Sequence, residues 1–130
     1  MIWNATLETG MPAIDDQHKE LFRQARVLFD RENADRVTQT LDFLEKYVEK
    51  HFGDEQALHL KAQYPKLEPH KKMHAEFVIA FKKMQKEYED EGHKLQVLLK
   101  INKTFSDWLT NHIMVHDKEF ATYYNAKQAK

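Results

Sequence analysis

The stretch from residue 37 to residue 62 constrains the fold most, because its inward-facing positions recur at alternating steps of four and three without a break. That spacing places all of them on one face of an α-helix of about seven turns. The positions are Val37, Leu41, Leu44, Val48, His51, Glu55, Leu58 and Ala62. His51 and Glu55 are polar, and a buried helix face holds such groups only where something pairs with them.

Three further stretches repeat the helical spacing and are separated by turn residues. The first follows an N-terminal arm of residues 1–14, begins at a cap supplied by Asp15 or Asp16 and ends near Asn33. The predicted core-facing residues are His18, Leu21, Phe22, Ala25, Leu28 and Phe29 in the first helix, His70, Met73, His74, Phe77, Phe81, Met84 and Tyr88 in the third, and Leu95, Leu98, Ile101, Phe105, Trp108, Leu109 and His112 in the fourth. These patterns predict an all-α, up-down-up-down antiparallel four-helix bundle.

Composition narrows the class of partner. The chain has 20 basic and 21 acidic residues and a net charge of -1, which argues against nucleic acid or an anionic membrane as a partner. It has no cysteine, so any metal must be held by nitrogen and oxygen atoms. The sequence shows no leader or membrane span, and its 130 residues suit one domain, 1–130. We therefore expect a cytoplasmic monomer.

The histidines and two carboxylates form the candidate site. Residues four apart on a helix lie about 40° apart on one face, so His51 can act with Glu55, and His70 with His74. In an antiparallel bundle the start of the first helix, the later part of the second, the start of the third and the end of the fourth share one level. The candidate metal ligands at that level are His18, His51, Glu55, His70, His74, His112 and Asp117.

The spacing of His112 and Asp117 does not fit a regular α-helix. Five residues separate them by about 140° around the helix axis. For both to reach one site, the backbone after His112 must bend, unwind or start a new helix, and the sequence does not distinguish these alternatives.

Ligand chemistry indicates two ions. Nitrogen and carboxylate ligands without thiolate suit iron, manganese, zinc or copper, and seven ligands exceed what one ion accepts. If both carboxylates and a solvent oxygen bridge the two ions, each ion has three oxygen ligands. Three histidines then make one ion six-coordinate, whereas two histidines leave the other five-coordinate, with a vacant position where dioxygen can bind. We expect Leu109 and Ile113 to form walls of that pocket.

In these residues the chain resembles the hemerythrin family, and in particular its single-domain bacterial members. The resemblance rests on Trp3, the segment Ile14–Phe22, and the motifs HxxxE, HxxxH and HxxxxD in that order, which begin at His51, His70 and His112.

The resemblance implies a non-haem di-iron centre with a bridging oxo or hydroxide group and dioxygen as ligand. It places His70, His74 and His112 on one iron, His18 and His51 on the open iron, and Glu55 and Asp117 between the two. It implies an oxygen carrier, not an enzyme, for oxygen storage, transport or delivery to an oxygen-consuming enzyme. Of the remaining histidines, His59 follows Glu55 by four residues, which offers it a place beside the ligands. For His59, His93 and His116 we predict surface or hydrogen-bonding roles.

Three alternatives differ in class. A ferritin-like di-iron enzyme of oxygen, peroxide or iron handling typically has more carboxylates and two ExxH motifs, which this sequence lacks. An oxygen or redox sensor would act through a partner protein. A haem protein would use one or two histidines and leave the other buried ligands without partners.

Overall fold

The computed structural model of the protein describes residues 3–28 and 36–128. After a 3-10 turn at Ala5–Leu7, the helices are α1 (Pro12–Val27), α2 (Val37–Lys61), α3 (Leu67–Asp90), α4 (Leu95–His112) and α5 (Lys118–Gln128), with a π-helical segment, Ile113–Asp117, between α4 and α5. No strand occurs within those two ranges. Helix α1 packs against α2 and α4, and α3 packs against the same two helices, so the four long helices close into a bundle.

The predicted inward faces form the interior of this bundle. Leu21, Leu44 and Ile101 are completely buried, and Phe81 and Phe105 pack edge to face across the core with ring centroids 6.0 Å apart. Burying one such side chain stabilises the folded state by about 1.5–3 kcal/mol, so the shared core holds the four helices together. Of the helices in the described ranges, none combines the length and the apolar composition needed to cross a bilayer.

Helix α1 begins earlier than the sequence predicted. Its first residue is Pro12, whose fixed φ suits a first helical turn, and its cap is Met11 rather than Asp15 or Asp16. Asp15 instead accepts hydrogen bonds from the backbone N–H and the hydroxyl of Thr9, at 3.0 and 2.8 Å. The N-terminal arm therefore ends at Met11 and is held against the helix.

The end predicted for the first helix, near Asn33, lies outside the described residues, as does Phe29. The other helix limits follow the prediction closely. Helix α2 ends before Tyr64-Pro65, and Pro69 lies in the first turn of α3. At the opposite end of α3, Gly92 and His93 adopt positive φ angles of 77° and 62°, which reverses the chain into α4 within a few residues.

Candidate metal centre

The structure brings all seven predicted ligand residues into the interior at one level of the bundle. His18 is contributed by α1, and His51 and Glu55 by α2. Helix α3 contributes His70 and His74. The relative exposures are 0% for His18, 1% for His51 and Glu55, and 2% for His70, His74, His112 and Asp117.

The seven residues form two groups whose ligand atoms lie within 4.8 Å of one another. The first group contains Glu55, His70, His74, His112 and Asp117, and the second contains His18, His51, Glu55 and Asp117. The groups share both carboxylates and no histidine. The arrangement thus has three imidazoles on one side, two on the other and a carboxylate pair between them.

On the three-histidine side the Nε2 atoms converge. His112 Nε2 lies 2.9 Å from His70 Nε2 and 3.0 Å from His74 Nε2. His70 Nε2 also lies 2.7 Å from Glu55 Oε1 and 3.1 Å from Asp117 Oδ1. Each of these imidazoles presents the same ring nitrogen to the shared centre.

On the two-histidine side the opposite carboxylate oxygens are used. His18 Nε2 lies 3.1 Å from Asp117 Oδ2, and His51 Nε2 lies 3.5 Å from Glu55 Oε2. Each carboxylate therefore directs one oxygen to each side, which is the geometry that a carboxylate bridging two ions requires.

The polar atoms of the cluster are better arranged to coordinate metal ions than to form hydrogen bonds with one another. Among the described residues, neither oxygen of Glu55, neither ring nitrogen of His18 and not Asp117 Oδ2 has an aligned hydrogen-bond partner, although contacts at 2.7–3.5 Å surround them. Leaving several buried polar atoms unpaired costs free energy. Nitrogen and carboxylate donors with lone pairs directed at common points are suited to divalent ions.

The ionisation of the cluster follows from its burial and its mutual contacts. Burial lowers the pKa of His51 to about 4. Burial also lowers the pKa of His74, and the nearby imidazoles of His112 and His70 lower it further. Both rings are consequently neutral at physiological pH, as metal ligands must be.

Contacts with the two carboxylates raise the pKa of a histidine, whereas burial lowers it. Burial opposes protonation of His70, but its close contacts with the carboxylates of Asp117 and Glu55, at 3.1 and 2.7 Å, outweigh burial and raise the pKa of His70 to about 9. Burial would raise the pKa of Asp117, but contacts with His112, His18 and His70 hold it well below its usual range. The metal-free cluster therefore carries a proton on His70 that a metal must displace.

The π-helical segment explains how His112 and Asp117 share a site. A π-helix has roughly 4.4 residues per turn, so five residues advance about 410° and return to nearly the same face. Of the three alternatives that the sequence left open, the structure matches local unwinding, because the π-helical turn before α5 rotates less per residue than an α-helix does. Met114 and Val115 within it face outward, with exposures of 42% and 49%.

Two glutamines contact the outer edges of the histidines, and the sequence analysis did not identify them. Gln17 Oε1 lies 2.7 Å from His51 Nδ1, and Gln56 Oε1 lies 3.0 Å from His74 Nδ1. Such contacts fix the ring orientation of a metal-binding histidine. Glutamine is common on solvent-facing helix surfaces, so no sequence pattern distinguishes these two.

Aromatic rings enclose the three-histidine side. Phe52 stacks on His74 with centroids 3.8 Å apart and ring planes 2° apart, and Trp108 stacks on His112 at 4.4 Å and 11°. The predicted pocket residues Leu109 and Ile113 are buried, with exposures of 2% and 0%. They lie on the segments that carry His112 and Asp117.

The three remaining histidines have different environments. His93 is on the surface, where its Nε2 lies 2.6 Å from a Glu89 oxygen, and this confirms the predicted role. His116 is partly buried beside His112, and burial lowers its pKa. His59 is completely buried against Phe120, which excludes the surface role and leaves the hydrogen-bonding role of the two that were predicted.

Comparison with known proteins agrees with this geometry. Residues 9–124 match the family model described as "Hemerythrin HHE cation binding domain". The chain belongs to the hemerythrin family. A crystal structure of wild-type hemerythrin superposes with a TM-score of 0.82 at 29% identity, covering 94% of this chain and 95% of that one, which confirms the four-helix bundle.

Relatives from animals and bacteria show similar levels of identity. Myohemerythrin of Theromyzon tessulatum is 30% identical over 91% of this chain and 88% of its own length. Bacteriohemerythrin of Pseudomonas paraeruginosa is 30% identical over 90% of this chain and 76% of its own. Hemerythrins bind a non-haem di-iron centre and are oxygen carriers rather than enzymes, and this chain has a histidine and carboxylate cluster able to hold such a centre.

Proposed function

We propose that this hemerythrin binds dioxygen reversibly at two iron ions held by its buried cluster. The observation that carries the proposal is the division of the cluster into a three-histidine and a two-histidine group that share Glu55 and Asp117. The unequal number of imidazoles makes the two metal positions different, and the position with fewer protein ligands is the one able to accept an external ligand. The iron pair, when bound, supplies the redox chemistry that dioxygen binding needs.

We assign the seven residues as follows. His70, His74 and His112 would hold one iron, His18 and His51 would hold the other, and Glu55 and Asp117 would serve both. The convergence of Nε2 atoms on one side and the opposed carboxylate oxygens support this assignment.

The remaining task of the chain is to hold the ligands in place and exclude water. Gln17 and Gln56 orient His51 and His74 through their Nδ1 atoms. The buried side chains of Leu109 and Ile113 lie in the segments beside the ligands, and low water content at such a site slows loss of electrons to solvent.

The ligand composition favours carrying oxygen over activating it. Five imidazoles and two carboxylates form the cluster, whereas ferritin-like di-iron enzymes draw carboxylates from all four helices. In the cell the protein would store or transport oxygen in the cytoplasm or deliver it to an oxygen-consuming enzyme.

The decisive experiment loads the metal-free protein anaerobically with iron(II) and then admits air. We expect two irons per chain by metal analysis and a visible charge-transfer band that disappears on deoxygenation over repeated cycles. The control is His51→Leu, which keeps the three-histidine group and should lose both the second iron and the reversible band. Irreversible oxidation on first exposure, or sustained substrate turnover by the wild-type protein, would contradict a carrier function.

A further inference from the structure

His59 is a buried polar residue that the ligand assignment leaves unused. It lies on α2 one turn after Glu55, and its exposure is 0%. Neither of its ring nitrogens has a hydrogen-bond partner among the residues described. A buried imidazole without a partner costs free energy, and an apolar side chain of similar size would avoid that cost.

The described neighbours of His59 are mainly other rings, with one carboxylate oxygen near its Nε2. Its ring contacts Phe120 at a centroid distance of 4.0 Å and Tyr64 at 5.0 Å, and both contacts are aromatic. On the remaining side its Nε2 lies 3.5 Å from Glu55 Oε1, which itself has no aligned hydrogen-bond partner in the described part of the chain. His59 Nε2, which has no hydrogen-bond partner among the described residues, thus faces a carboxylate oxygen that also lies 2.7 Å from His70 Nε2.

The chemistry of the two atoms is complementary. A neutral imidazole carries one N–H, and a carboxylate oxygen accepts hydrogen bonds. A shift of about half an ångström would bring the pair to the usual N–H···O distance. The aromatic contacts with Phe120 and Tyr64 hold the ring in place while leaving this edge free.

His59 is poorly placed to be an eighth metal ligand. It belongs to neither of the two groups whose ligand atoms lie within 4.8 Å of one another. Its ring instead meets the ring of the ligand residue His70 edge-on, with centroids 4.5 Å apart and an interplanar angle of 75°. Contact with the bridging carboxylate is the role that remains.

We propose that His59 is a positioning residue that donates its Nε2–H to Glu55 Oε1 and holds this carboxylate between the two metal positions. This inference rests on the ligand set given under the proposed function. It assigns a chemical reason for a histidine on an otherwise apolar part of the α2 face, since Glu55 must serve both sides of the cluster at once.

The test compares His59→Leu, which removes the donor and keeps an apolar side chain, with His59→Gln, whose amide can replace the donor. Titration of the metal-free proteins with cobalt(II), followed by its visible spectrum, reports metal binding without oxygen chemistry. We expect His59→Leu to weaken cobalt binding by about 10-fold or more, and His59→Gln to recover most of that loss. Thermal unfolding should show metal-free His59→Leu to be at least as stable as the wild type, with a smaller rise in Tm on metal addition.

If His59 only packed in the core, the Tm values and cobalt affinities of the variants would differ from those expected above. Equal losses of Tm in the metal-free and cobalt-loaded forms, with unchanged cobalt affinity in His59→Leu, would overturn the positioning role and leave the di-iron assignment intact. Failure of the wild-type protein to take up metal would overturn the proposed function together with this inference. If His59→Leu does not fold, His59→Met against His59→Gln provides the same contrast.

Discussion

The Nδ1–H of His51 donates a hydrogen bond of 2.7 Å to Oε1 of Gln17. The amide of Gln17 is oriented in turn, because its Nε2 donates to Asp54 Oδ2 at 2.9 Å. An amide oxygen only accepts, so the proton of the neutral His51 ring must be on Nδ1. The lone pair of Nε2 is thereby left to face the cluster.

Replacing Gln17 by leucine should release this orientation. We expect Gln17→Leu to weaken metal binding on the two-histidine side by about 10-fold, because His51 loses the acceptor that fixes its tautomer and ring plane. A cobalt(II) titration that resolves the two binding steps provides the measurement. The matched control is Gln56→Leu, which removes the acceptor of His74 Nδ1 on the other side. The orienting role is wrong if both variants weaken the same step or if neither changes any step.

Phe52 should contribute to the stability of the fold as well as to the site. Its ring is 5% exposed, stacks on His74 and meets Phe77 edge to face at 6.2 Å. We expect Phe52→Ala to lower the free energy of unfolding by about 3–5 kcal/mol, since truncation leaves a cavity. Urea unfolding of the metal-free protein measures the loss. Phe43, which is 47% exposed, serves as the control, and Phe43→Ala should cost less than about 1 kcal/mol. Similar losses for both variants would contradict a buried structural role for Phe52.

The parts of the structure that follow from periodicity could be predicted from the sequence. Helical spacing identified the four long helices, and polar residues on their inner faces identified the seven clustered side chains. This works because burying a charged or imidazole group on a core face is costly, so such residues mark positions where they find partners. Because consecutive helices of the bundle run in opposite directions, the position of each residue along its helix then predicted the level at which the seven side chains meet.

Features that depend on local hydrogen bonding could not be predicted in the same way. The start of α1 at Pro12 depends on the alternative use of Asp15 as an acceptor for Thr9. The residue types at Ile113–Asp117 do not distinguish a π-helical turn from an α-helical one. The burial of His59 depends on where Phe120 packs, and Phe120 lies in α5, which follows the four helices that the spacing predicts.

Metal uptake should release a proton from His70. Its pKa of about 9 in the metal-free protein leaves it largely protonated at neutral pH, while the lowered pKa values of His51 and His74 leave those rings neutral. A metal can bind His70 only after that proton has left. We therefore expect the affinity for zinc to rise with pH up to about 9, with His70 contributing about one released proton at neutral pH. A pH indicator in weak buffer measures the release. His70→Gln is the control, and an unchanged release in this variant would contradict the assignment.

The π-helical turn should tolerate the loss of one residue. In an α-helix four residues advance about 400°, nearly the same rotation as five residues of a π-helix, and the rise along the axis is also similar. Deletion of Val115, which is 49% exposed, would convert the segment to a regular α-turn and keep His112 and Asp117 on one face. We expect the deletion variant to bind two metals per chain with a Tm equal to or above that of the wild type. Metal analysis and thermal unfolding measure the two quantities.

Insertion of one residue at the same place is the matched control. One residue added to the π-helical turn would carry Asp117 through roughly 490–510° from His112, which is about 130–150° away from the direction of His112. Asp117 would then leave its contacts with His18 Nε2 and His70 Nε2, at 3.1 Å each, and one of the two bridging carboxylates would be lost. We expect this insertion variant to bind fewer than two metals and to show no reversible oxygen band, whereas the deletion variant retains both. Loss of metal binding in the deletion variant would show that the widened turn supplies more than the rotation between His112 and Asp117.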